Sequence, residues 1–108
     1  MSFRALCLTG ALAASAFVYA QAERVFDIAL TDGKVVRTDE TLHVRQGDHV
    51  LLRWKTDRPL TVHLHGYELE AKLTPQSMTL MRFTANMPGV FPVHGSSHHP
   101  VLYVEVKR

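Results

Sequence analysis

Val50-Leu51-Leu52-Arg53-Trp54-Lys55, then Asp57-Arg58-Pro59, then Leu60-Thr61-Val62-His63-Leu64 is the stretch that decides the fold. In the first segment Val50, Leu52 and Trp54 fall on one face, a period of two that belongs to a half-buried strand. Asp57-Arg58-Pro59 breaks the run, because proline cannot donate to a ladder and the flanking polar residues favour a turn. The second segment alternates again, with Leu60, Val62 and Leu64 on one side and Thr61, His63 and His65 on the other.

The same reading extends in both directions. Val25 to Leu30 is a strand closed by the turn pair Asp32-Gly33, and Leu42 to Arg45 is another, followed by the turn Gln46-Gly47-Asp48. Beyond the turn at Thr74 to Ser77, strands are expected over Met78 to Thr84, Val90 to Val93 and Val101 to Val106, with Pro88-Gly89 between the first two. Leu69 to Leu73 is read as one short helical turn. Seven or so short strands at this spacing predict an antiparallel sandwich or barrel. Parallel pairings would need crossover helices, for which the chain has no room. Trp54, Phe83, Phe91 and Tyr103 are the expected core aromatics.

The N-terminus carries a different pattern. Arg4 precedes an apolar run from Ala5 to Ala16, and Ala20-Gln21-Ala22 fits a small-x-small cleavage site. The run is shorter than the ~20 residues a spanning helix requires. Residues 1–22 are therefore expected to be a signal-peptide helix, and 23–108 a single exported domain, periplasmic or secreted, with no membrane span after cleavage. Cys7, the one cysteine of the chain, lies in the signal, so the mature domain would hold neither disulfide nor thiolate. The formal net charge is +2 and there is no basic stripe, which argues against nucleic acid. There is no phosphate-cradling loop and no serine in a nucleophile setting. Glu68 and Glu70 have no acid–base partner in the sequence and read as a solvated strand face. No enzyme activity is expected, and the domain is read as a monomer.

Five of the seven histidines fall in two runs, Val62-His63-Leu64-His65-Gly66-Tyr67 and His94-Gly95-Ser96-Ser97-His98-His99. Neutral imidazole is a common metal ligand. His63 and His65, two apart on a strand, point to one face. Gly66 would let another segment or a ligand approach the backbone. His43 and His49 sit in alternating segments and read as surface residues. Without the metal reading, the two runs are a polar strand face and a solvated hairpin.

The ordered set Gln46-Gly47-Asp48-His49-Val50, Leu52-Arg53-Trp54, His63-Leu64-His65-Gly66-Tyr67, Pro75 to Phe83, Pro88-Gly89-Val90-Phe91, a His-bearing loop, and Leu102-Tyr103-Val104-Glu105-Val106 resembles the cupredoxin family over about residues 24–107. The resemblance implies an all-β fold, a cupredoxin-like antiparallel Greek-key β-sandwich. It also implies a copper site with one early histidine, matched best by His65, and Cys, His and often Met ligands in the last loop. Counting alternate positions from Phe91 puts Gly95 where the cysteine belongs and His98 where the second histidine does, with His99, Pro100 and Val101 near the methionine position. A one-residue shift would bring His94 to the cysteine's place. Both sulfur ligands are absent.

Blue-copper electron transfer depends on a Cu–thiolate bond, whereas an all-imidazole set favours Cu(II) and can also take Zn(II) or Ni(II). The expected function is copper binding, for sequestration or hand-over, through His65, His94 and His98, with His63 and His99 in reserve. The alternative is a metal-free sandwich that serves as an interaction module for an envelope protein.

Overall fold

The computed structural model describes residues 23–36, 40–97 and 99–108. The expected signal helix at 1–22, with Cys7, lies outside these residues, as does His98. The described chain forms nine strands: β1 (Glu23–Thr31), β2 (Lys34–Val35), β3 (Thr41–Arg45), β4 (His49–Thr56), β5 (Leu60–Leu64), β6 (Leu69–Leu73), β7 (Thr79–Thr84), β8 (Gly89–His94) and β9 (Pro100–Lys107). They build two sheets, one in the order β2-β1-β4-β7 and the other β3-β9-β8-β5-β6.

The alternation read from the sequence is what closes the core. Val50, Leu52 and Trp54 of β4 are buried, as are Val62 and Leu64 of β5 and Leu102, Val104 and Val106 of β9. Ile28, Leu42, Leu73, Met81 and Val93 complete the same cluster from the other strands. Trp54 is fully buried, and its indole N–H has no hydrogen-bond partner among the described residues. The β1–β2 hairpin is closed by Asp32 and Gly33 at φ 56° and 75°. Two central residues with positive φ make the turn whose twist matches that of the strands it joins.

The structure departs from the expectation in three places. First, two pairings are parallel, β1 with β4 and β3 with β9. No helix is needed for either, because between β1 and β4 the chain crosses into the opposite sheet to form β3. Second, Leu69 to Leu73 is a strand, not a helical turn. Its apolar residues Leu69, Ala71 and Leu73 alternate with Glu70 and Lys72, and it pairs along its length with β5. Third, Tyr103 is 37% exposed. It alternates with the buried Leu102 and Val104 and so stands on the outer face. Phe83 and Phe91 are half-buried and pack against the core.

Candidate metal centre

Burial of Val62 and Leu64 turns His63 outward, onto the outer face of the five-stranded sheet. Leu64 pairs with Leu69, so residues 65–68 form the loop of the β5–β6 hairpin. Gly66 adopts φ 88° there, and a Cβ on it would lie 2.3 Å from Cδ1 of Phe91. Glycine is required on both counts. The segment that comes close is thus the Phe91 ring. Tyr67 anchors the loop: its hydroxyl donates to the Met87 carbonyl and accepts from the Met87 N–H, both at 2.9 Å. Its ring packs against Phe83 and Phe91 at centroid distances of 4.9 and 5.0 Å.

This scaffold brings three of the expected residues together. The His65 N–H donates to the Pro92 carbonyl of β8 at 3.0 Å. One step along, His63 stands directly opposite His94. The His65 ring lies 4.5 Å from that of His63 and 4.7 Å from that of His94, edge-on to the latter. All three side chains are half-buried. A β-bulge between Val93 and His94 shifts the register of β8 against β9 at this point. It is His94, not Gly95, that meets His65. A Cβ on Gly95 would instead face Leu60 Cδ1 at 3.4 Å and Val101 Cγ1 at 3.5 Å, two aliphatic groups with no donor atom.

His99 is placed elsewhere. It lines a groove with Gly33, Lys34, Val35 and Glu40, and its carbonyl accepts a hydrogen bond from Ser97 Oγ at 3.2 Å. His43 and His49 are exposed, the former paired with Glu105 at 2.9 Å and the latter with Thr84 Oγ1 at 3.2 Å.

Two carboxylates, Glu68 and Glu70, stand beside the cluster instead of on a purely solvated strand face. Glu68 Oε1 lies 3.3 Å from His63 Nε2, and Glu68 Oε2 accepts the Gly66 N–H at 3.2 Å. Glu70 is the register partner of His63 on β6. A shallow depression on this face is lined by Leu60, Thr61, His63, Glu70, His94 and Gly95 among others. Sequence offered one signal for Glu68: it follows His63 by five residues across a glycine turn, close enough for its side chain to fold back. Among the described residues no three His, Cys, Asp or Glu side chains stand in an arrangement that could hold a metal ion.

By sequence, no protein-family model and no curated protein matches the chain. By structure, many solved proteins do. A copper-binding protein solved by NMR in its apo form superposes with a TM-score of 0.67 at 12% identity, over 83% of this chain and 93% of that one. Auracyanin A, a blue copper protein from Chloroflexus aurantiacus, gives 0.62 at 14% identity, over 80% of this chain and all of the other. The copper-containing nitrite reductase of Thermus scotoductus gives 0.62 at 19% identity, over 80% of this chain and 28% of that one. Identities this low establish a shared fold, and that fold is cupredoxin-like.

Proposed function

We propose that this cupredoxin-like sandwich is an exported copper-binding protein that holds Cu(II) through imidazoles, for sequestration or hand-over, and takes no part in blue-copper electron transfer. The observation that carries the reading is the contact of His63, His65 and His94, three rings brought from β5, its hairpin loop and β8 to one half-buried spot. These three imidazoles are the donors the reading assigns to the ion; the expected His98 lies outside the described residues. His99 lies apart from the three, in the groove beside Lys34 and Glu40. Residues 23–108 contain no cysteine, so no thiolate is available to build a trigonal His₂Cys centre. Zn(II) and Ni(II) fit the same donors, with Cu(II) favoured by the ordinary affinity order. The copper bound by similar folds supports the assignment. Export rests on the signal-like residues 1–22.

Titration of the purified protein with Cu(II), followed by calorimetry and electron paramagnetic resonance, tests this. One weakly coloured site is expected. Single His65→Ala and His94→Ala substitutions should each weaken it by at least tenfold, while His43→Ala leaves it unchanged. Binding should weaken as pH falls, because protons compete with the metal for the imidazole lone pairs. Equal binding by wild type and the His65→Ala, His94→Ala double variant would remove the site.

The interaction-module reading keeps one observation in its favour. Val25 and Leu80 are 47% and 46% exposed on the outer face of the four-stranded sheet, with Leu51 between their strands. A failed titration would shift attention to that face.

A further inference from the structure

We infer that Glu68 is the positioning residue of the histidine cluster: it holds His63 with its proton on Nε2, so that the lone pair His63 offers to an ion is on Nδ1. The inference rests on the metal-binding reading above for its purpose, and on the metal-free geometry for its substance.

Both oxygens of the Glu68 carboxylate are engaged within its own hairpin. Oε2 takes the Gly66 N–H at 3.2 Å, which turns the carboxylate back over the loop, and Oε1 then meets His63 Nε2 at 3.3 Å. An ionised carboxylate can only accept, so its charge at this distance favours a hydrogen over a lone pair on the nitrogen that faces it. A neutral imidazole has one N–H and one lone pair, and fixing the first on Nε2 fixes the second on Nδ1. A carboxylate on the far nitrogen is the usual partner of a metal-binding histidine, because it sets ring orientation and raises the basicity of the ligating nitrogen.

The backbone of Glu68 argues that the side chain is there for a reason. Its φ is 54°, in the left-handed region that side-chain-bearing residues avoid and glycine enters freely. A glycine or asparagine would close the same hairpin with less strain. Strain at a single residue that also carries, among the described residues, the carboxylate paired with the cluster marks a position where side-chain chemistry outweighs loop comfort. Glu70 supplies the contrast. It lies opposite His63 in the ladder and carries the same charge, yet the ion pair of His63 is with Glu68.

Substitution to glycine separates the two roles of this residue. Glu68→Gly relieves the backbone and removes the carboxylate, so a fold at least as stable as wild type is expected, shown by thermal unfolding. Long-range proton–nitrogen correlation spectra of the metal-free protein, labelled at histidine nitrogen, read the tautomer directly. His63 should be the Nε2–H form in wild type and in Glu70→Gln, and a mixture of tautomers in Glu68→Gly. Cu(II) affinity should fall by roughly 10–100-fold in Glu68→Gly, the usual loss for an outer-shell carboxylate, and by less than about threefold in Glu70→Gln. An Nδ1–H His63 in wild type, an unchanged tautomer in Glu68→Gly, or equal losses in the two variants would overturn the assignment. If wild type binds no Cu(II), the metal reading falls, and the tautomer alone decides whether Glu68 positions His63.

Discussion

His63 and His94 face each other across the β5–β8 ladder as the last regular pair before β8 breaks its register with β9. Directly opposed residues of an antiparallel pair hold their Cβ atoms about 5 Å apart. The bulge adds local twist at that point, and the His94 ring ends up edge-on to His65. Val93 is buried, so regular pairing of β8 with β5 puts His94, and not its neighbour Gly95, on the outer face beside His63 and His65.

Restoring a thiol at Gly95 should therefore not restore blue copper. The direction a side chain would take there leads to Leu60 and Val101 at ordinary van der Waals distance. Gly95→Cys is expected to fold, and with Cu(II) to show no intense thiolate-to-copper charge-transfer band in the visible spectrum. A strongly blue protein would mean that Gly95 and the imidazoles share a site.

Trp54 should be the costliest single truncation in the core. It is fully buried between the sheets, and Trp54→Ala should lower stability by about 3–5 kcal/mol, the range for deleting a large buried aromatic. Urea denaturation monitored by circular dichroism measures this. A loss below about 1 kcal/mol would show that the site collapses around the gap.

Gly66→Ala should destabilise twice over, through positive φ and through collision with Phe91. The conformational part is about 1–2 kcal/mol. The steric part should vanish when Phe91→Ala is present as well, so a double-mutant cycle should give a favourable coupling between the two substitutions. Additive effects would place the whole cost in the backbone.

Asp27 and Arg53 are register partners on β1 and β4, and the guanidinium donates from Nε to Asp27 Oδ1 at 2.6 Å. That hydrogen bond, aided by the charges of Arg53 and Lys55, holds the Asp27 carboxyl below its ordinary value. The pair therefore favours the folded state above the unfolded aspartate value near 3.9, and that contribution is lost as pH falls through the lower folded value. Both side chains are exposed, so the effect on stability is small. A carboxyl-detected NMR titration should find Asp27 titrating low, and Arg53→Gln should move it upward.

Much of the fold was legible because burial enforces a period of two: the core positions of β4, β5 and β9 follow directly from alternation in 50–54, 60–64 and 101–106. The same signal was present in Leu69 to Leu73, but five residues with leucines at both ends fit a helical turn equally well. What settles them is pairing with β5, a tertiary fact. The parallel ladders were hidden for a similar reason, since direction of pairing depends on which sheet the intervening chain enters. At the site, outward alternation identified His63, and spacing alone brought in His65 and His94. Alternation past the buried Val93 likewise puts His94 on that outer face, whereas the fold-back of Glu68 depends on loop geometry that no periodicity encodes.

The pairing of β3 has a kinetic corollary. Thr41–Arg45 lies at the edge of its sheet, and its ladder partner is β9, some sixty residues further along. Until residues 100–107 are in place, that strand has no ladder to join, and no cross-link in 23–108 can shorten the search. Domains dominated by such distant pairings fold in milliseconds to seconds. The rate-limiting event should be the docking of β9 between β3 and β8, so substitutions of Leu102 and Val104 should slow folding, while those in the β1–β2 hairpin should mainly speed unfolding.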